Sequence, residues 1–578
     1  MVRSQPVAVV LAAALLFVGS GVVGVDGLKG VATAAPLAAG AAGAAGATAQ
    51  APVQATAGQT ATAGQAAAGQ AARPAAGRAA GQGAAAAATA VEPLELSLEA
   101  AVLSALEHNP ALRAERLGPV VAGTFEEIER GAFATQLFAE GRYGRAREER
   151  VDAWRGERFD FERDQATFAA GVQRRLPLGL DWELAATQRF EETQRGDRPG
   201  AQAAGGGSEE LHTTRIGLTL TQQLLRGRGR EVNLVDVRRA ELGVLESEHE
   251  LRGFVASLIA DVETAYWDFV QADRAIAIYE ESLSLAEEEI RRARERIRLG
   301  DLAATELPAL EAERALREQD LIDARSRRER QRLELLRLSG TPEQIEDDVP
   351  IRAVSRLQRT PVELSPVGEH LALALQQRPE IEQARLQMER DQLQVTRTRN
   401  GLLPRLELFV SLGRSGYADS FSQAPRELDG PSYDAELGVR LERPLTNRVP
   451  RAEHEQARLQ RDQAELSLHN LARLVRHDVQ SAHIELRRAQ AQIAASAATR
   501  EAQEERVRAE EERFRAGQAT AFAVVQAQRD LLESQINEEA VWVDYRKALI
   551  ELYRLDGTLL ARRGIDAFAA EANLGGEF

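Results

Sequence analysis

A long run without proline constrains the fold of this protein more than any other feature of its sequence. No proline occurs between residue 230 and Pro308, a length well beyond an ordinary globular helix. Apolar or small side chains recur along the run at steps of four and three residues, which keeps them on one helix face. They are Phe254, Leu258, Val262, Ala265, Phe269, Ala272, Ile276, Tyr279, Leu283, Ala286, Ile290, Ala293 and Ile297. The pattern predicts a helix of about 65 residues, roughly 100 Å long, which must pack against other helices because it has no interior of its own.

A glycine ends this helical pattern. Gly300 follows the segment RIRL, and a second helical run extends from about residue 304 to residue 338. Glycine tolerates the left-handed backbone conformation that commonly ends a helix. Residues 230–338 are therefore predicted to form one long antiparallel helical hairpin.

The same apolar seam is found again 217 residues downstream. The matching positions are Leu471, Val475, Val479, Ala482, Leu486, Ala489, Ile493, Ser496, Arg500, Gln503, Val507, Glu510 and Phe514. Their apolar character holds over the first seven positions and then weakens. The turn also recurs, because RFRAG at 513–517 matches RIRLG at 296–300. A second hairpin is predicted over residues 450–556.

A second match, upstream of each hairpin, has an offset of 269 residues. The first copy has Ala105, Leu106, Pro110, Leu112, Arg116 and Leu117, and the second has Ala374, Leu375, Pro379, Ile381, Arg385 and Leu386. Because the two offsets differ by 52 residues, the first copy must contain an insertion of about that length between its short helices and its hairpin.

Alternation of apolar and polar residues predicts strands between the short helices and each hairpin. The segments are 137–143 and 216–220 in the first copy and 406–412 and 434–442 in the second, with a polar loop at 414–431. In the insertion, residues 168–175 and 180–188 alternate around a turn and predict an extra hairpin, followed by a flexible loop at 196–208. A single such strand is ordinarily half-buried on a soluble core. Here no short amphipathic helix remains to cover the apolar faces, which makes lipid the alternative cover.

The N-terminus predicts export from the cytoplasm. Arg3 precedes an apolar run at 7–25 and then small residues, the pattern of a signal peptide, with a membrane anchor as the alternative. The Ala/Gly-rich residues that follow are predicted to be a disordered leader. The predicted organisation is a signal peptide (1–35), the leader (36–90), a first repeat (91–340, with the extra hairpin at about 160–210), an irregular linker (341–366), a second repeat (367–560, with strands within 404–443) and a C-terminal tail (561–578).

Composition excludes several classes of function. The chain has no cysteine, so disulfides and thiol catalysis are excluded, and its net charge of −16 argues against nucleic acid as a partner. The eight histidines do not pair on one helix turn. No nucleophile motif occurs. The sequence predicts no catalytic residue, no metal site, no cofactor and no enzymatic activity.

Taken in order, these segments resemble the TolC-type outer-membrane efflux proteins over residues 94–560. The resemblance is carried by LSLEAAV at 96–102 with Asn109 and Pro110, by QQLLRGRG at 222–229, by the two Arg-x-Arg-x-Gly turns, and by QAQRDLLE at 526–533 with YRKALIELY at 545–553. It implies a mainly α fold with β strands. In this fold three copies form a hollow α-helical barrel of antiparallel hairpins joined to one transmembrane β-barrel, with two internal repeats per chain.

The resemblance also implies a location and partners. Such a homotrimer lies in outer-membrane lipid, spans into the periplasm and acts with a periplasmic adaptor and an inner-membrane pump. It is the passive exit duct of a tripartite efflux or type I secretion system.

In this family the glycine turns form the periplasmic tip, where the adaptor docks and the tunnel closes. The docking positions implied here are Leu299, Gly300, Asp301 and Leu302 in one copy and Ala516, Gly517, Gln518 and Ala519 in the other. The gate positions implied are Glu306, Phe514, Phe522, Ala523 and Gln526. Ala523 and Gln526 replace aspartates of some relatives, and Phe514 replaces a common tyrosine. We therefore expect apolar packing of Phe514 and Phe522, rather than hydrogen bonds, to hold the tip.

Two other functions are compatible with long helical hairpins. A secreted coiled-coil scaffold or adhesin without a pore has such helices but needs no sheet with an apolar face at both repeat midpoints. A periplasmic adaptor carries one hairpin, whereas this chain predicts two.

Overall fold

The computed structural model describes residues 93–151, 158–196, 208–341, 344 and 349–565. The chain divides into Met1–Ala90 and Val91–Phe578, and every described residue belongs to the second unit. The predicted signal peptide, the leader, residues 197–207 of the predicted flexible loop and residues 566–578 of the tail lie outside the described residues.

Helices make up most of the described chain. The helices are α1 (Leu98–His108), α2 (Pro110–Glu115), α3 (Leu117–Gly131), α4 (Arg230–Asn233), α5 (Val235–Leu299), α6 (Leu307–Ser339), α7 (Val367–Gln377), α8 (Pro379–Gly401), α9 (Arg448–Arg515), α10 (Ala521–Leu555) and α11 (Leu559–Arg562). The strands are β1 (Leu94–Leu96), β2 (Gln136–Val151), β3 (Arg158–Leu176), β4 (Leu180–Gly196), β5 (Ser208–Gln223), β6 (Ile351–Ala353), β7 (Arg405–Ala418) and β8 (Tyr433–Glu442). Short 3-10 helices lie at Ala304–Glu306 and Ala424–Asp429.

Four long helices form two hairpins. Helix α5 has 65 residues and packs on α6, and α9 has 68 residues and packs on α10. The predicted seam positions are all buried or half-buried in both α5 and α9. In the part of α9 where the seam is polar, Arg500 forms an ion pair of 2.7 Å with Glu538 of α10. Burial of one continuous face is what holds helices of this length together.

The short helices are fixed by caps and by packing on α5 or α9. The Asn109 side chain accepts hydrogen bonds from the amides of Ala111 and Leu112 and donates to the Leu338 carbonyl at 3.0 Å. Pro110 follows at the first position of α2, where no amide hydrogen is needed. The cap therefore ties α2 to the end of α6.

One hydrogen bond between a guanidinium and a carbonyl is made in both halves of the chain. Arg116 donates to the Leu106 carbonyl at 3.0 Å, and Arg385, 269 positions later, donates to the Leu375 carbonyl at 3.2 Å. The two matched segments thus close their short helices in the same way.

Six strands form one antiparallel sheet in the order β2-β3-β4-β5-β7-β8. The extra hairpin predicted at 160–210 is β3 and β4, of 19 and 17 residues, and it lies within the sheet between β2 and β5. Residues 208–210 belong instead to β5. The strands extend beyond the predicted segments, because backbone pairing in the ladder continues past the alternating residues.

Three other expectations about the connections are corrected. The predicted loop at 414–431 is shorter, since β7 continues to Ala418 and a 3-10 helix follows. The linker at 341–366 is not wholly irregular, because β6 pairs in parallel with β1. The tail does not begin at residue 561, because α11 extends to Arg562 and Arg563 donates to the buried carboxylate of Glu263.

The sheet leaves an apolar face uncovered in the single chain. On β8, Leu437, Val439 and Leu441 are 74%, 64% and 66% exposed, and Leu137 on β2 is 82% exposed. Strands β2 and β8 form the two edges of the sheet. Both the face and the edges are thus open to a further partner.

Hydrogen bonds hold together the joint between the sheet and the helices, which is formed by residues 224–230, 399–405 and 442–451. The amide of Gly227 donates to Asn400 Oδ1 at 2.7 Å, and Asn447 Nδ2 donates to the Leu402 carbonyl at 3.2 Å. Gly227 has a φ of 81°, which only glycine adopts without strain. The segment between β5 and α4 is therefore a fixed part of this joint.

Among the described residues, no helix combines the length and the apolar character needed to cross a membrane.

Candidate functional site at the hairpin tips

Both hairpins turn with the same hydrogen-bonded geometry. Gly300 and Gly517 have φ values of 81° and 73°. The amide of Asp301 donates to the Arg296 carbonyl at 2.9 Å, and the amide of Gln518 donates to the Arg513 carbonyl at 2.8 Å. This is the helix-ending turn in which a left-handed residue lets the chain reverse, so the glycine is required by backbone conformation.

The structure brings the predicted docking positions of both turns to one end of the helices. Leu302, from the first turn, packs against a small apolar cluster that also includes Ala521 and Val525 at the start of α10. Leu299 is 63% exposed. The remaining docking positions, Gly300, Asp301, Ala516, Gly517, Gln518 and Ala519, are exposed or half-buried. The two tips therefore offer one shared surface.

The two phenylalanines predicted at the gate have different surroundings. Phe514 packs against the tip cluster, and the guanidinium carbon of Arg296 lies 5.2 Å from its ring centroid. Phe522 lies on the other side of the first turn of α10 and is 66% exposed. Phe514 is part of the tip cluster of a single chain and Phe522 is not. That apolar packing of these two residues holds the tip stays a prediction.

The other predicted gate positions are polar or small. Glu306 lies in the 3-10 helix after the first turn, and Ala523 is half-buried on α10. Gln526 donates to Asp530 Oδ1 at 2.9 Å, and Asp530 pairs with Arg506 of α9 at 2.6 Å. The Asp530 carboxylate thus lies one turn further from the tip than Gln526 and is neutralised within the hairpin.

A polar network that the sequence analysis missed lies beyond the tip cluster. Arg317 on α6 is 3% exposed and donates to Glu313 at 3.2 Å, to the Ser282 carbonyl at 2.8 Å and to Gln528 Oε1 at 3.1 Å. Arg529 of α10 donates to the other oxygen of Glu313 at 2.5 Å. The only signal in the sequence was the four-residue spacing of Glu313 and Arg317, which is equally typical of a solvated helix face.

Glu289 on α5 completes this network. It accepts a hydrogen bond from the Gln528 side chain. Burial raises the pKa of Glu289, and the hydrogen bond from Gln528 and the charge of Arg317 offset only part of that effect. The carboxylate is therefore held in a place that disfavours its charge.

A cleft of about 380 Å³ separates the two hairpins beside the network. Glu289, Arg296, Phe514 and Val524 are among the residues that line it. In the part of the chain that the structure describes, no group of three or more His, Asp or Glu side chains is arranged to hold a metal ion. The tip thus presents a contact surface.

Comparisons with known proteins agree with this architecture. Residues 371–558 match the family model described as outer membrane efflux protein. The chain is 26% identical over 326 residues to the outer membrane efflux protein BepC of Brucella suis biovar 1 (strain 1330), a match that covers 56% of this chain and 68% of BepC.

Solved structures of two outer membrane channels share the fold. The Campylobacter jejuni CmeC channel has a TM-score of 0.58 at 15% identity, and the match covers 82% of this chain and 88% of CmeC. The open state of the Neisseria gonorrhoeae MtrE channel has a TM-score of 0.56 at 17% identity, with 80% and 89% covered. At these identities the likeness concerns the fold alone.

Proposed function

We infer that this chain, which belongs to the outer membrane efflux protein family, is an outer-membrane channel that serves as the exit duct of an efflux system. The family is one of transport conduits. The observation that carries the function is the family match over the second repeat, in which an apolar-faced strand pair continues directly into a long helical hairpin.

Support for a homotrimer comes from comparing α3 with α8. Helix α8 packs on α9 of its own repeat and on α5 of the other. On the α5 side Arg390 pairs with Glu246, and Arg239 donates to Gln394 at 3.3 Å. Helix α8 is thus covered on both sides within one chain.

Helix α3 has the corresponding position in the first repeat but is covered on one side. The counterparts of Arg390 and Gln394, 269 positions upstream, are Val121 and Phe125, which are 51% and 59% exposed. The face of α9 that corresponds to the α8-binding face of α5 carries Leu459 and Leu466, which are 59% and 70% exposed. If α3 of one copy lies on α9 of the next, both apolar surfaces are buried.

The same arrangement brings sheet edges together. Because β2 and β8 run in opposite directions at the two edges, β8 of one copy can pair antiparallel with β2 of the next. Each copy contributes six strands, so three copies give a closed barrel of eighteen. The diameter of a barrel grows roughly in proportion to its strand number, so this barrel is about one and a half times as wide as one built without the β3–β4 hairpin.

We further propose that the tips bind a periplasmic adaptor, which links the channel to an inner-membrane pump. The supporting observation is the shared surface of the two turns, where Leu299 is exposed and both glycines leave the backbone accessible. The class of partner is inferred from the resemblance of this chain to the channels of efflux and type I secretion systems.

The test combines location, conduction and cargo. We expect the protein to fractionate with outer membranes, to require detergent for extraction and to give ion conductance in planar bilayers. Loss of its gene, or of the partner adaptor, should raise retention of efflux substrates in cells. A detergent-free monomer in solution would contradict the proposal, and the scaffold alternative would then be favoured.

A further inference from the structure

The joint between sheet and hairpins is strongly basic in an acidic chain. Residues 224–230, 399–405 and 442–451 contain eight arginines and one glutamate, whereas the whole chain has a net charge of −16. We call these eight arginines the arginine belt. Such a local excess of one sign attracts an oppositely charged partner.

The three segments meet at one end of the sheet. Gln223, the last residue of β5, pairs with Glu407, and Arg405 at the start of β7 pairs with Glu442 at the end of β8. The Leu224 amide donates to the Leu406 carbonyl at 2.8 Å. The arginine belt is therefore one surface, assembled from three separate parts of the chain.

Most of the arginine belt has no acidic partner. Arg405 pairs with Glu407 at 3.1 Å. The other seven are exposed and form no ion pair with any residue that the structure describes. Arg448 and Arg451 lie in the first turn of α9, where the helix dipole disfavours positive charge. These charges do not serve the stability of the single chain.

Apolar side chains lie between the arginines. Leu445 is fully exposed, Val449 is 67% exposed and Leu403 is 43% exposed. They follow directly on the exposed apolar face of β8, which ends at Glu442. Apolar residues beside unpaired arginines are typical of a segment at the boundary between hydrocarbon and water.

We propose that the arginine belt binds the phosphate groups of anionic phospholipids in the periplasmic leaflet of the outer membrane. The leucines and Val449 then contact the lipid beneath the headgroup. This inference rests on the proposed function, because it requires the sheet to lie in the bilayer. It adds a ligand class and a surface that fix the depth of the channel in the membrane.

The test uses the purified full chain in detergent, titrated with phosphatidylglycerol or with phosphatidylcholine and followed by native mass spectrometry. The variant is Arg228→Gln/Arg443→Gln/Arg448→Gln. The matched control is Arg291→Gln/Arg330→Gln/Arg473→Gln. It removes three exposed arginines of the hairpins that form no ion pair with any described residue. Both triple variants lower the positive charge equally.

We expect wild type and control to prefer phosphatidylglycerol, with affinity falling as salt is raised. At about fivefold per arginine, the belt variant should bind phosphatidylglycerol on the order of a hundredfold more weakly. If the triple variant does not elute as the wild-type oligomer, Arg443→Gln alone should still show the fivefold loss.

Equal binding of both lipids by wild type, or unchanged binding by the folded belt variant, would overturn the inference. A third arm replaces the lipid with glycerol 3-phosphate, and binding of equal strength would assign the arginine belt to soluble phosphates. Failure of the proposed function is separate, since it would appear as absence of the protein from outer membranes.

Discussion

Arg317 and Glu313 form an ion pair of 3.2 Å on α6 with side chains only 3% and 6% exposed. Arg317 reaches across to α5 and α10, and Glu313 also accepts from Arg529 of α10. One buried pair therefore connects the two hairpins near their tips.

Replacing Arg317 with methionine should weaken this connection by about 3 kcal/mol, because removing one partner leaves a buried carboxylate with less compensation. Amide hydrogen exchange of α10 near Gln528 measures the free energy of local opening. The control, Arg325→Met, breaks an ion pair whose side chains are 59% and 51% exposed, and should cost below about 1 kcal/mol. Equal effects of the two variants would contradict a role for the buried pair.

The stability of the contact between the hairpins should depend on pH because of Glu289. Because burial raises its pKa, the folded protein holds this proton more tightly than the unfolded chain. The contribution of Glu289 to the free energy of unfolding is therefore most favourable below the ordinary carboxyl pKa of 4.5. It is lost as pH rises through the raised pKa of the folded protein. Glu289→Gln should stabilise the protein at pH 7 and have little effect at pH 4.

Thermal melting of wild type and Glu289→Gln across this pH range checks the sign. Glu512→Gln, an exposed change on α9, supplies the control for loss of one negative charge. A stabilisation by Glu289→Gln that is the same at both pH values would rule out the pKa as its cause.

The two phenylalanines predicted at the gate should respond differently to substitution. Phe522 is exposed in one chain, so Phe522→Ala should leave chain stability unchanged and raise the open probability in single-channel recordings if copies of Phe522 meet at the closed tip. Phe514→Tyr should alter opening little, because the ring already packs on the cluster and under Arg296. Unchanged opening in Phe522→Ala would count against an apolar gate.

Asn109 should contribute about 2 kcal/mol to the free energy of unfolding, because it caps α2 and donates a hydrogen bond to the end of α6. Asn109→Ser keeps the cap acceptor and should lose roughly half of that in urea unfolding, whereas Asn109→Ala should lose all of it. Arg378 occupies the matched position before α8 and makes no side-chain cap bond, so Arg378→Ala should cost less. The reverse order of Ala variants would show that the cap is unimportant.

The proposed interface between copies predicts a charge-sensitive oligomer. Phe125→Glu places a carboxylate on the exposed apolar face of α3 and should release monomers, since each interface loses about 2 kcal/mol of apolar burial and gains a desolvation cost. Phe125→Leu keeps the face apolar and should remain assembled. Light scattering after size-exclusion chromatography in detergent distinguishes the two, and an intact Phe125→Glu oligomer would place the interface elsewhere.

The sequence alone determined the long helices and their seams, because apolar residues that recur at steps of four and three can be recognised without knowledge of what they pack against. The same holds for the glycine turns, whose left-handed φ is a local requirement. Period-two alternation located the strands. It could not give their ends, since ladder pairing also orders residues with no alternation.

Tertiary structure decided which side chains lie close together. The insertion is part of the sheet, where β3 pairs with β2 and β4 pairs with β5. Arg317, Gln528 and Glu289 lie on three helices far apart in sequence, so no local pattern connects them. Phe514 and Phe522 are near in sequence yet have different surroundings, because Phe514 lies on α9 against the tip cluster whereas Phe522 lies on α10 and is exposed. Periodicity fixes which face of an element is apolar, and only packing in three dimensions fixes what that face meets.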